Sequence, residues 1–175
     1  MNETILVPEV KSFLLADDGR IPNNPRLPLL LYGGALQLPE RNPAATCEQL
    51  FAANGWGSGW RNGIYSFHHY HSTAHEVLAI ANGTARVHFG GENGPIVAVK
   101  PGDVVVIPAG VGHKNLGASR DLLVVGAYPP GQRWDLCRGT PDERPWALEN
   151  IARVPLPKTD PVYGKGGPLS SQWHS

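Results

Sequence analysis

With 175 residues, 41% of them hydrophobic, the chain has the size and apolar content of a single domain, residues 1–175, with a core of its own. Fifteen Lys and Arg balance fifteen Asp and Glu, and no basic cluster is interleaved with aromatic residues, which excludes nucleic acid as a partner. Met1 to Thr4 do not open a charged-then-apolar leader, and no run approaches the roughly 18 apolar residues that span a bilayer, so the expectation is a cytoplasmic protein with no membrane partner.

Residues 1–40 read as an N-terminal arm. Asp17-Asp18-Gly19 and Pro22-Asn23-Asn24-Pro25 favour turns and extended backbone, and the run from Leu27 to Leu31, followed by Tyr32, predicts a first strand. One short helix is predicted to begin at Asn42 as N-cap, with Pro43 in its first turn. Cys47, Leu50 and Phe51 would share a face, and Asn54-Gly55 would end it. Residues 56–63 crowd Gly, Trp and Asn into a loop, in which Trp56 and Trp60, like Trp134 later, would cap a cavity mouth or meet a second subunit. From there the chain reads as strands: Val77 to Ala81, Thr84 to Phe89, Ile96 to Val99, Val104 to Ile107 and Leu122 to Tyr128. Asn82-Gly83, the turn over 90–95 and Pro101-Gly102-Asp103 separate them. Short strands at this spacing imply an all-β sandwich or barrel. The tail over 129–175, rich in proline, is expected to wrap the barrel without a core of its own, and Cys47 and Cys137 read as packed, reduced thiols.

Four of the seven histidines fall between residues 68 and 75, with Glu76 directly after them. On extended backbone alternate side chains share a face, so His69 and His71 project together with Tyr65 and Phe67, while His68 points the other way. After a bend at Ser72-Thr73-Ala74, Glu76 would share a face with Leu78 and Ile80. His113, behind the turn Pro108-Ala109-Gly110-Val111-Gly112, can supply a third imidazole. Three imidazoles and a carboxylate suit one divalent transition metal, whether Fe, Mn, Ni, Zn or Cu, and leave coordination positions open. Tyr65, Phe67 and Leu78 are the candidate pocket residues, with aromatic core packing as the other reading for the two rings. His68 and His75 should face away in structural or interface roles. Arg86, Lys100 and Arg120 read as solvated charges; an inward arginine would instead point to a carboxylate substrate.

At these residues the sequence resembles the cupin superfamily. Gly63, His69-Tyr70-His71, Glu76 and Gly83 fit every position of that family's first motif. Gly102, Pro108-Ala109-Gly110 and His113 fit the second, except that Gly117 stands where the family has asparagine, with Asn115 two residues after the histidine. The matching core spans 63–117, and the flanks look like the small bacterial cupins of the YjlB-like group. The resemblance implies a single cupin β-barrel, a double-stranded β-helix or jelly roll. It also implies His69, His71, Glu76 and His113 as metal ligands, and a homodimer.

The functional expectation is a metal-dependent enzyme acting on a small molecule, of oxygenase or related oxidoreductase type, in which Glu76 also moves a proton. Two other readings stand beside it: a non-catalytic barrel that holds a metal and a small ligand, and a metal-dependent isomerase.

Overall fold

A strand covered on one face alternates apolar and polar residues, whereas a strand covered on both reads as an unbroken apolar run. Both kinds occur here. The structure, a computed structural model, describes residues 4–175. Its strands are Glu9–Phe13 (β1), Leu29–Gly33 (β2), Gly57–Asn62 (β3), Glu76–Asn82 (β4), Ala85–Phe89 (β5), Ile96–Val99 (β6), Val104–Ile107 (β7), His113–Ala118 (β8) and Leu123–Tyr128 (β9). They form a six-stranded sheet, β1-β2-β7-β4-β9-β3, and a three-stranded sheet, β6-β5-β8, with antiparallel pairing throughout. The expected barrel is thus a jelly roll of two facing sheets.

The unbroken apolar runs of β2, β4, β7 and β9 lie in the larger sheet, which is buried on both sides. Leu29, Leu31, Leu78, Ile80, Val105, Ile107 and Val124 point toward the smaller sheet and meet Val87, Phe89 and Val99 there. Leu30, Tyr32, Val77, Ala79, Val104, Val106 and Val125 point the opposite way, onto the helix Pro43–Ala53 (α1) and the C-terminal tail. This two-sided burial sends Glu76 into the space between the sheets with Leu78 and Ile80, as the alternation predicts.

Helix α1 starts and stops where the sequence suggests, with Cys47, Leu50 and Phe51 buried on one face. Its start uses a different device. Asn42 adopts a left-handed conformation (φ 51°) and its side chain makes no cap; its carbonyl accepts from the Ala45 N–H at 3.1 Å instead. Four features depart from the expected map. The arm contributes β1, the loop over 56–63 contains β3, residues 113–118 form β8, and the tail carries two further helices, Arg144–Arg153 (α2) and Pro168–Gln172 (α3), in place of the one helix expected. The strand expected across Tyr65 to His71 is reduced to two isolated bridges, His69 with His113 and Tyr70 with Cys137. Both cysteines are free and buried, and burial pushes each thiol up to about 12, which keeps them protonated.

The tail wraps the larger sheet and adds to the core through Val162, Leu169 and Trp173, while Ala147 and Ile151 of α2 join Ile21, Tyr70, Ala109 and Cys137 in a small cluster of their own. Its anchor is Asp160, which is fully buried. That carboxylate accepts from the Tyr32 hydroxyl at 2.6 Å and from the N–H groups of Val162, Tyr163 and Leu169 at 2.8, 3.0 and 3.1 Å. Replacing it would strand four donors away from water. Asp160→Ala is therefore expected to lower the unfolding free energy by about 3 kcal/mol or more, and Tyr32→Phe by about 1 kcal/mol, read as shifts of the urea midpoint.

Candidate metal centre

An imidazole presents one lone pair when its other nitrogen carries the proton, and a carbonyl can only accept, so a ring nitrogen facing a carbonyl must be the N–H. Three rings here are fixed in that way. His69 Nδ1 lies 3.2 Å from the Phe67 carbonyl, His113 Nδ1 lies 3.2 Å from the Val111 carbonyl, and His71 Nδ1 makes a short bond to the Asp135 carbonyl. Their Nε2 lone pairs are thereby turned away from the main chain. One nitrogen from each of the three rings lies within 4.8 Å of the other two, and all three residues are buried.

Glu76 completes the group from β4. Its Oε2 sits 3.2 Å from His71 Nε2 and 3.3 Å from His113 Nε2, inside ion-pair range but with no satisfied hydrogen bond. Its Oε1 accepts from the Tyr128 hydroxyl at 3.0 Å, and that hydroxyl accepts from Trp60 Nε1–H at 2.7 Å. One carboxylate oxygen is thus held and the other left bare toward the rings. A buried carboxylate with an unbonded oxygen is costly unless a cation meets it, so this donor set fits a metal ion.

Electrostatics agree with the geometry. Burial holds His69 down to about 2, with His113 adding to the effect, so that ring stays neutral. Burial also works against charge on His71 and Glu76, but their mutual attraction outweighs it: His71 is pulled above its ordinary value and Glu76 well below. Burial followed by the Glu76 charge raises Tyr128, which keeps the phenol a proton donor.

The loops that carry these groups are tied down. Ser72 gives its N–H to Asp135 Oδ1 at 2.6 Å and its hydroxyl to Oδ2, which fixes the segment whose carbonyl orients His71. Before His113, Gly110 takes φ +92°, and a Cβ there would come within 2.4 Å of the Asn23 carbonyl. That contact docks the arm: Asn23 Oδ1 accepts from the Gly112 N–H at 3.2 Å, and Asn24 Nδ2 donates to the Ala109 carbonyl at 3.0 Å.

The four groups line a cavity of about 490 Å³. Trp60, Tyr65, Tyr128 and Trp134 give it aromatic walls, with Leu78, Ile64, Ser58 and Asn62 between them, and no lysine or arginine lines it. Of the expected pocket residues, Tyr65 and Leu78 reach this wall. Phe67 does not: it is stacked on Tyr65 at 4.9 Å with Arg138 3.9 Å over its ring. Ile80 also stays in the core. His75 faces away, where it accepts from the Ala109 N–H at 2.9 Å and packs on Trp173. His68 also faces away, toward His88.

The family model described as "Cupin domain" matches residues 61–124, which include all four residues of the group. Over 165 residues the chain is 43% identical to "Uncharacterized protein YjlB" of Bacillus subtilis (strain 168), covering 94% of this chain and 97% of that one. The chain is a cupin of the YjlB group. Among solved structures, this cupin is similar to acireductone dioxygenase from Bacillus anthracis with a cadmium ion in its active centre, at 18% identity and a TM-score of 0.40. That overlap covers 54% of this chain and 63% of the other, under two thirds of its length. It is also similar to a DUF861 family protein from Thermotoga maritima, at 22% identity and a TM-score of 0.32, covering 51% and 92% of the two chains. Overlaps of this size lend the cupin no activity. No described helix is long and apolar enough to cross a membrane.

Of the Trp60–Tyr128–Glu76 chain, Glu76 is an expected ligand and Trp60 is expected at a cavity mouth, but Tyr128, which links them, is not an expected site residue, although β9 alternation places it on the Val124 face, toward the smaller sheet. Gly126 makes room for it, because a Cβ there would lie 2.2 Å from the Trp60 ring. Tyr128→Phe would leave Glu76 Oε1 buried without its donor, an expected loss of about 1–3 kcal/mol in the metal-free protein, measured by chemical denaturation.

Proposed function

We propose that this cupin binds one divalent first-row transition metal through His69, His71, His113 and Glu76 and uses it for oxygenase-type chemistry on a small molecule. The observation that carries the reading is the Glu76 oxygen without a hydrogen bond, 3.2 and 3.3 Å from the Nε2 atoms of His71 and His113, with His69 clustered beside those two rings at the wall of an open cavity. A first-row ion held there supplies Lewis acidity and redox chemistry at exchangeable positions.

The chain's own residues would do the rest. Tyr65, Trp60 and Trp134 would clasp a flat or largely apolar ligand, and Leu78 and Ile64 would exclude water beside it. With no cationic side chain on the wall, a ligand with a strongly anionic tail is disfavoured, and a phenol, enol or thiol is the matching class. Glu76 Oε2, once released from the ion, would accept the ligand's proton, while Tyr128 steadies Oε1.

A specific observation favours a second reading, proton transfer without oxidation: the Glu76–Tyr128 pair faces the cavity and needs no dioxygen to act. The two readings part in an anaerobic assay, where only an isomerase would exchange a ligand C–H with deuterated solvent.

Elemental analysis of untagged protein is expected to find about one equivalent of iron or manganese at this centre, with His71→Ala or His113→Ala lowering its affinity by about 100-fold or more. Because Glu76 pulls the His71 proton affinity up, protons compete early, so metal should be lost on acidification from nearer neutral pH than a free imidazole would give. Dioxygen uptake with a panel of phenols, enols and thiols tests the chemistry. A folded, metal-loaded protein that consumes none and turns over no panel member sinks the oxygenase reading.

A further inference from the structure

His68, one residue before the centre just described, points to the opposite side of its extended segment. Its side chain is only 5% exposed, yet Nδ1 has no hydrogen-bond partner and Nε2 meets only the Glu92 carboxylate. Burying an imidazole nitrogen dry is costly, and Nδ1 calls for a partner that the protein does not otherwise provide. Across from it lies His88 of β5, also buried, with the ring centroids 5.0 Å apart. His88 Nε2–H donates to the Gly94 carbonyl at 3.1 Å, which leaves the lone pair on Nδ1. Glu92, in the turn between β5 and β6, brings Oε1 to 3.0 Å from His68 Nε2, its side chain otherwise exposed.

We propose that His68, His88 and Glu92 form a second, separate site for a divalent transition-metal ion. One ligand atom from each lies within 4.8 Å of the other two. Two imidazoles and one carboxylate suit Zn2+, Co2+, Ni2+ or Fe2+ over Mg2+ or Ca2+, which require an oxygen shell. The His88–Gly94 bond repeats the arrangement in which a main-chain carbonyl takes one ring proton and so aims the other nitrogen. Exposure of Glu92 leaves positions for water, so the ion would exchange readily. Lys114 of β8, paired directly with His88 of β5, opposes the positive charge and sets the site's affinity below that of the buried centre.

The site has a mechanical consequence. An ion there would tie the turn over 90–95 to residue 68, and so to the segment that presents His69 and His71.

The proposal stands apart from the reading of the first centre, and one titration separates them. Equilibrium binding of Co2+, followed by its visible absorption, is expected to give two equivalents for the wild-type chain. His88→Ala is expected to remove the weaker one, and Glu92→Gln, at an exposed position that does not threaten folding, to weaken it about tenfold. His71→Ala should remove only the tighter equivalent. One equivalent that survives His71→Ala but is lost in His88→Ala supports this site while sinking the first. Wild-type titration by both His88→Ala and Glu92→Gln, or a single equivalent abolished by His71→Ala, overturns the proposal.

Discussion

Three main-chain carbonyls, those of Phe67, Asp135 and Val111, set the orientation of the three clustered rings in this cupin. Each takes the Nδ1 proton of one buried ring and so fixes which nitrogen of that ring is bare. The constraint is on tautomer as much as on position: without these carbonyls nothing would hold the ring protons away from the centre. The three come from separate stretches of chain, and each stretch is tied down elsewhere. Residue 67 precedes the bridge to β8, residue 135 is bound to Ser72, and residue 111 lies in the loop that receives Asn23 and Asn24. An arm more than 80 residues away in sequence thus helps aim His113.

The jelly roll supplies the fourth group by simpler means. Because β4 is buried on both faces, its even-numbered residues enter the space between the sheets, and the strand opens with a carboxylate where a purely structural strand would carry another aliphatic. Burying that carboxylate costs free energy, and the fold softens the cost on one side only, through Tyr128 and Trp60. The remaining oxygen is left to whatever enters the cavity.

Sequence made much of this legible where a local rule governs. Pro43 and Asn54-Gly55 bracket α1, the turn dipeptides separate β4 to β7, and alternation alone assigns His69, His71 and Glu76 to shared faces and turns His68 and His75 away. It failed where no local rule applies. Gly57-Ser58-Gly59 in β3 and Lys114, Asn115 and Gly117 in β8 lack the apolar pattern of a strand, and only pairing with β9 and β5 makes them one. Helix α2 buries just Ala147 and Ile151, a spacing too sparse to stand out in a proline-rich tail. Asp135 and the Trp60–Tyr128 link act across 63 and 68 residues of sequence, and nothing in their own neighbourhoods announces it.

One pairing in the centre fixes a distance. His69 and His113 exchange both peptide hydrogen bonds, at 3.2 and 2.9 Å, so the strands that carry two of the three rings stand about 5.5 Å apart and cannot spread without breaking both. The rings cannot swivel to compensate, since each is pinned at its far nitrogen. The gap therefore works as a caliper with locked jaws, set by peptide geometry before anything enters the cavity, so the spacing of these two rings is decided by the backbone rather than by the side chains themselves.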